Sequence, residues 1–269
     1  MYHLAADNGY KNEKKTSNPR AVPCKIITMS TSTTARKFLA FDIETAKELP
    51  GDFSLWRNHR PLGISCAATL LSDAEAPRLW HSRTSAGTPA GRMTAVDVQE
   101  LVDYMLEMTA KGYTVLTWNG ASFDFDVVAE ESGVPAKCKD CVWGHVDMMF
   151  HIVCAKGFPV GLERAAQGLG LPGKPPGMEG SQAPQLWARG EHQKVLDYVS
   201  QDVRLALQIA VKCEEAKEFV WLTQKGSRGT MPLVGGWKTV REAMQLPLPD
   251  TSWMKTPMTR ESFLEWMGR

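Results

Sequence analysis

The run Phe38-Leu39-Ala40-Phe41-Asp42-Ile43-Glu44 is apolar and β-prone enough to be a central strand, yet it carries two carboxylates. Alternate side chains of a strand share a face, so Asp42 and Glu44 project together while Leu39, Phe41 and Ile43 take the other side. Two like charges on one face repel and lose solvation, a cost that calls for a cation or strong donors between them. By itself a D-x-E triplet also fits one edge-exposed carboxylate and one helix cap. A chemical meaning therefore needs partners elsewhere in the chain.

Two further strands are expected at Leu62 to Leu71 and Arg78 to His81, and a helix follows whose apolar stripe is Val96, Val98, Leu101, Val102, Met105 and Met108, closed by Gly112. A fourth strand, Tyr113 to Trp118, leads into a helix beginning near Ser122. The β-β-β-α-β-α order predicts an α/β layer fold with a mixed sheet. Beyond Gly133 the pattern is mostly helical, with segments at Val146 to Val153, at Leu162 to Leu169 and from Gln193 to about Trp221. The last carries Leu196, Val199, Val203, Leu207 and Ala210 on one stripe. The loop Leu171-Pro172-Gly173-Lys174-Pro175-Pro176-Gly177 is stiff and irregular. Two short helices are expected near the end, Trp237 to Met244 and Thr259 to Met267.

The chain has 269 residues and a net charge of +1, but the first 37 residues carry seven Lys/Arg against two Asp/Glu, leaving a mildly acidic body. That excludes duplex binding through a broad basic face. Residues 1–36 lack periodicity and read as a disordered basic tail. A folded domain over 37–225 and a C-terminal helical segment over 226–269, packed on it, complete the expected organisation. No apolar run is long enough for a membrane helix. Met1 to Lys15 lacks the apolar stretch of a secretory signal, so a cytoplasmic protein with reduced thiols is expected.

Two more acidic groups join the first. In Trp118-Asn119-Gly120-Ala121-Ser122-Phe123-Asp124-Phe125-Asp126, Asn119-Gly120 ends the strand and Ser122 is placed to cap the next helix. Asp124 then falls in the helix's first turn at the carboxyl edge of the sheet, where open α/β sheets bind ligands. Asp124 is taken as the functional acid and Asp126 as one that favours the helix dipole. In Tyr198-Val199-Ser200-Gln201-Asp202, spacing of four puts phenol and carboxylate on one helix face beside the apolar stripe.

Taken in order, D-x-E on the first strand, N-x-x-x-F-D after the fourth and Y-x-x-x-D on a late helix resemble the three exonuclease motifs of the ribonuclease H-like (DnaQ-like) DEDD superfamily. That group includes the proofreading domains of DNA polymerases, those of family B among them, and RNA-trimming nucleases. The likeness spans about Phe38 to Val211. Asp42, Glu44, Asp124 and Asp202 occupy the acidic positions. Asp197 stands where the histidine branch has its histidine, and Tyr198 makes the chain similar to the tyrosine (DEDDy) branch. The resemblance implies a ribonuclease H-like fold with a mixed sheet of about five strands flanked by helices. It also implies 3′-to-5′ exonuclease activity on single-stranded DNA or RNA ends, releasing nucleoside 5′-monophosphates. Asp42 would bridge two cations, Glu44 and Asp202 would complete the nucleophile-side site, Asp124 would support the other, and Tyr198 would orient the attacking water. Asn119, Phe123 and Lys174 are the candidate substrate contacts.

The residues support the chemistry independently of that likeness. Converging carboxylates raise one another's pKa unless divalent ions neutralise them, and an all-oxygen set suits Mg²⁺ or Mn²⁺ rather than zinc. Two such ions can activate a water and stabilise the leaving oxygen of a phosphodiester. Competing signals remain. Cys138, Cys141, His145, His151 and Cys154 form an irregular set against which reduced structural cysteines are the simpler reading. The nine tryptophans, five of them in the last third, read first as core and second as base-stacking platforms. An RNA-trimming exoribonuclease, a non-catalytic nucleic-acid binding module and a zinc-stabilised interaction protein are the alternatives.

Overall fold

The structure is a computed structural model that describes residues 35–49, 53–173 and 179–268. Its centre is the strand β1 (Phe38–Thr45), which pairs antiparallel with β2 (Ile64–Leu71); β2 in turn pairs antiparallel with β3 (Arg78–Trp80). After α1 (Ala95–Ala110), the strand β4 (Thr114–Thr117) joins the other edge of β1 in parallel. The helices α2 (Asp124–Ser132) and α3 (Pro135–Gly144) lead to β5 (Val146–Asp147), parallel to β4, so the sheet order is β3-β2-β1-β4-β5. This is the mixed five-stranded sheet of a ribonuclease H-like fold.

The period of two in β1 sorts its residues between two cores. Leu39, Phe41 and Ile43 enter one with Leu101 and Met105 of α1 and Phe125 of α2. Phe38 and Ala40 enter the other with Val199, Val203 and Ala206 of α7 (His192–Ala216), which crosses the opposite face. Helices α4 (Met148–Lys156), α5 (Leu162–Gly168) and α6 (Ala183–Ala188) lie between β5 and α7 in sequence. Asp42 and Glu44 continue the Phe38, Ala40 face, so the carboxylates look toward α7.

Several boundaries differ from the sequence expectation. The helix expected at Val146 to Val153 begins only at Met148, because Val146 and Asp147 pair with Leu116 and Thr117 as β5. The long helix expected to reach Trp221 ends at Ala216. Lys217 takes a left-handed φ of 54°, and Glu218–Leu222 becomes β6, hairpinned with β7 (Arg228–Pro232). That hairpin straddles position 226. Ser122 does not cap α2, whose first residue follows Phe123 with no side-chain cap bond.

Residues 1–34, most of the expected tail, lie outside the described residues, and so does Lys174. Arg36 belongs to the compact unit 36–269, donating to the Trp237 carbonyl at 2.7 Å and pairing with Glu214 at 3.4 Å. The C-terminal helices α8 (Val240–Ala243) and α9 (Arg260–Leu264) add Val240, Ala243 and Phe263 to the α1/α2 core. Trp237 is buried in the α7 core and Trp266 in the α1/α2 core. Among the described residues, no helix is long and apolar enough to cross a membrane.

Candidate active site

The carboxyl half of β1 faces α7 across a cleft of about 280 Å³. Asp42 and Glu44 from β1 and Asp202 from α7 each offer an oxygen, and these oxygens lie within 4.8 Å of one another. Glu44 and Asp202 are buried and Asp42 is half-buried. Tyr198, one helical turn before Asp202, lines the same cleft, as does Phe123 from the loop before α2. The far wall comes from the segment before α6. Gly180 lies so close to Tyr198 that an added Cβ would stand 3.5 Å from the phenol oxygen. Lys47, Ser181 and Pro184 also line the cleft and went unmarked in the sequence analysis. Pro184 at the start of α6 was the one local signal for that wall, as a residue suited to a helix's first turn.

Asp124 stands behind this group rather than in it. The β1–β4 pairing runs only from Phe38 to Ala40, so the Ile43 N–H has no β4 partner, and it donates to Asp124 Oδ1 at 3.2 Å. Asp124 is 3% exposed, and burial pushes its carboxyl up to about 7, with the Asp147 charge adding to the rise. Backbone donors and a hydrogen bond with Asp42 act in the opposite direction. Burial beside Glu44 likewise holds the Cys66 thiol, paired opposite it on β2, well above its usual value.

The loop that delivers Phe123 and Asp124 is held by Asp147, at the β5–α4 junction. Its Oδ1 accepts from the Asn119 N–H at 2.9 Å and the Phe150 N–H at 3.0 Å, and its Oδ2 from the Ala121 N–H at 2.9 Å. Asp147 is thus a cap of α4 and a clamp on the loop as well. Burial, working against those backbone bonds, raises its carboxyl to about 6. The turn itself is narrow. Asn119 adopts φ 75°, a left-handed conformation that asparagine tolerates better than most residues, and a Cβ at Gly120 would sit 2.5 Å from the Thr117 side chain. Asn119 does not line the cleft; its backbone serves the turn. The Trp266 indole donates to the Ala121 carbonyl at 2.7 Å and closes the loop from the other side.

Asp126 points away from the cleft. It pairs with Arg57 at 3.3 Å and with Arg60 at 2.5 Å. The cysteine and histidine set does not converge either. His145 Nδ1 donates to the Val142 carbonyl at 2.7 Å, and His151 Nδ1 accepts from the Lys238 N–H at 3.2 Å. Burial pushes the Cys138, Cys141 and Cys154 thiols up to about 11, 12 and 12. Among the described residues, Asp42, Glu44 and Asp202 are the one group of three or more potential ligands placed to share an ion. Three hard oxygen donors fit Mg²⁺ or Mn²⁺, and the absence of nitrogen and sulfur disfavours zinc.

The sheet order, with carboxylates from β1 and α7 brought together at one edge of the cleft, defines the class of fold, which is ribonuclease H-like. The model of a family described as RNase_H superfamily matches residues 92–213, which run from just before α1 into α7. Among solved structures the chain is similar to the family B DNA polymerase from the hyperthermophilic archaeon Pyrobaculum calidifontis, at 19% identity and a TM-score of 0.47. That match covers 66% of this chain and 24% of the polymerase. It is also similar to a product-bound exonuclease I, at 14% identity and a TM-score of 0.39, covering 67% of this chain and 43% of that one. The chain thus spans less than half the length of either. No curated protein matches it.

Proposed function

We propose that this protein is a metal-dependent 3′-to-5′ exonuclease that hydrolyses phosphodiester bonds at single-stranded nucleic-acid ends and releases nucleoside 5′-monophosphates. The observation that carries the reading is the meeting of Asp42, Glu44 and Asp202 within 4.8 Å in a cleft that Tyr198 also lines. Three carboxylates at that separation are costly without cations, and the oxygen-only set selects hard divalent ions. The order of D-x-E, N-x-x-x-F-D and Y-x-x-x-D along the chain supports exonuclease chemistry of the DEDDy kind.

Asp42, Glu44 and Asp202 would hold two divalent cations, Mg²⁺ or Mn²⁺, with Asp124 supporting Asp42 from behind. Bound there, the cations supply Lewis acidity and lower the pKa of water at the scissile phosphate. The chain's own residues do the rest. The Tyr198 hydroxyl, a turn from Asp202, is placed to hydrogen-bond the attacking water and aim it. Phe123, a lining residue of the cleft packed edge-to-face with Trp56 at 4.9 Å, is a candidate platform for a terminal base. Asp147 and Trp266 fix the loop that carries Phe123 and Asp124. A mildly acidic body suits a substrate gripped through cations and a few bases rather than a broad basic face. Buried free thiols agree with a cytoplasmic setting.

The test is incubation of 5′-labelled single-stranded DNA and RNA oligonucleotides with the protein in Mg²⁺ or Mn²⁺, beside Asp42→Ala and an EDTA control. The expected result is a ladder shortening from the 3′ end, lost in both controls, with the preferred sugar read from the two substrates. Intact substrates under all conditions, with binding retained, would overturn catalysis and leave a binding module.

A further inference from the structure

Four of the five tryptophans in the last third are buried, and the fifth is not: Trp253 is 70% exposed. Its loop is nonetheless anchored. Thr251 packs on Gly157 so closely that a Cβ there would lie 2.3 Å from its methyl, and the Met258 N–H donates to the Gly157 carbonyl at 2.9 Å. Trp253 meets Phe158 edge-on at 6.3 Å, Phe158 lies 6.1 Å from Trp221, and Trp221 is stacked on Phe219 at 5.3 Å. Gly229 of β7 makes room for the Trp221 indole, which a Cβ would meet at 2.3 Å. Hairpin and loop together therefore back the exposed Trp253 and half-buried Phe158 with the buried rings of Trp221 and Phe219.

This group borders a cleft of about 670 Å³, whose lining contains Arg164 and Lys225 and no acidic residue. Thr223, Gln224 and Ser227 add hydrogen-bonding groups at its rim. Lys156 lines the adjoining hollow on the other side of Phe158 and Trp253, with Asp250. The floor of the larger cleft includes Val160, whose carbonyl accepts from the Trp118 indole at 3.1 Å, and Trp118 immediately precedes the Asn119 turn of the active-site loop. One hydrogen bond thus ties the lining of this cleft to the segment that leads into the active-site loop. Residues 221–227 and 253 lie beyond the part matched by the family model.

We propose that this aromatic and basic trough is a second binding site, for single-stranded nucleic acid, in which Trp253 and Phe158 stack on bases and Arg164 and Lys225 neutralise phosphates. Solvent-reachable rings such as Trp253 and the half-buried Phe158 stack on any base without reading its sequence, and the cations of the cleft lining, with no acid among them, give the charge complementarity that a polyanion requires. A protein segment would be served by the rings but would leave the two cations without a stated purpose. The inference deepens the nuclease reading and rests on it for the nature of the strand, giving the enzyme a hold on its substrate away from the reacting end.

The test measures fluorescence anisotropy of 5′-fluorescein-labelled 20-mer oligo(dT) and oligo(U) on the full chain in EDTA, for the native protein, Trp253→Ala and Lys225→Gln. Hydrolysis of a trinucleotide in Mn²⁺ is followed in parallel. Trp253→Ala is expected to weaken 20-mer binding by about tenfold. Lys225→Gln is expected to reduce the slope of log affinity against log salt by about one. Both variants should hydrolyse the trinucleotide as the native protein does. Equal affinity and equal salt slope in all three proteins would overturn the proposal and leave the trough to a protein partner. If no protein hydrolyses anything while the Trp253-dependent binding persists, the nuclease reading fails and the trough stands. If hydrolysis proceeds while the variants bind like the native protein, the reverse holds.

Discussion

Asp124 and Asp126 occupy the same helical turn, are each 3% exposed, and meet opposite fates. Asp126 is paired with two cations from the protein itself, Arg57 and Arg60, whose guanidinium groups also lie over the Trp56 ring at 4.5 and 4.8 Å. Asp124 is turned toward β1, bonded to the Ile43 N–H and to Asp42, and its carboxyl is raised to about 7. Phe125 between them is fully buried against His145, with ring centroids 4.8 Å apart, which fixes the rotation of the helix and hence both directions. Burial is therefore no guide to which acid serves structure and which serves a site. The difference lies in who supplies the counter-charge, since a carboxylate neutralised by the fold has none of its affinity left for a ligand.

The sharpest test of this contrast is the pair of amide variants. Asp124→Asn should lower hydrolysis of labelled oligonucleotides by at least about 10²-fold, because a neutral amide no longer supports Asp42. Asp126→Asn should stay within about threefold of the native rate in the same assay. A comparable loss in both would break the distinction. Stability should rank them the other way. Asp126→Ala leaves Arg57 without an acid and Arg60 with Glu130 alone, at 3.2 Å, and should cost about 1–2 kcal/mol in urea unfolding, after allowance for the solvent that reaches both guanidinium groups.

Asp147 is a third buried carboxylate that the fold satisfies, here through backbone N–H groups. Asn at this position has one acceptor oxygen for three donors, so Asp147→Asn should destabilise by about 1–3 kcal/mol. It should also raise KM more than it lowers kcat, because the loop carrying Phe123 loosens. A change in stability with kinetics intact would limit Asp147 to capping α4.

The smallest effect is in pH dependence. Burial lowers His145 to about 4, against an ordinary value of 6.5. From pH 6.5 down to about 4 the unfolded chain takes up a proton that the native protein refuses, so native stability is lost as pH falls, by about 1.4 kcal/mol per pH unit. In cation-free protein Asp124 acts oppositely. It is protonated in the native state below about 7 but in the unfolded chain only near 3.8, so it favours the native state increasingly as pH falls between those values. His145→Phe should leave the second trend less opposed, and the variant's stability relative to the native protein should climb as pH drops from 6 to 4.5 in EDTA. A constant difference across that range would show that His145 titrates normally.

Much of the arrangement was legible because it follows from two periods. The alternation in β1 placed Asp42 and Glu44 together and away from Phe41, and spacing of four placed Tyr198 with Asp202 beside the stripe that docks α7 on the sheet. What escaped lacked a period to read. A two-residue strand such as Val146–Asp147 has no alternation, and it is recognisable only through pairing with β4. The end of α7 was hidden because Phe219, Val220 and Trp221 prolong an apolar pattern after Lys217 has already reversed the backbone. The wall formed by Gly180 and Pro184 is a tertiary contact with no local signature beyond the proline. Asn119-Gly120 was read as the end of the strand, but the left-handed turn that Asn119 makes there is a backbone feature that residue type alone does not fix.

The indole of Trp266 reaches back 145 residues to the Ala121 carbonyl, next to the loop that carries Asp124. On the ribosome, Asp42, Glu44 and Asp124 emerge long before α7 delivers Asp202, and the loop that carries Asp124 gains its bond from Trp266 later still. A nascent chain made only as far as α6 therefore holds Asp42, Glu44 and Asp124 but not the carboxylate of α7 that completes the cluster.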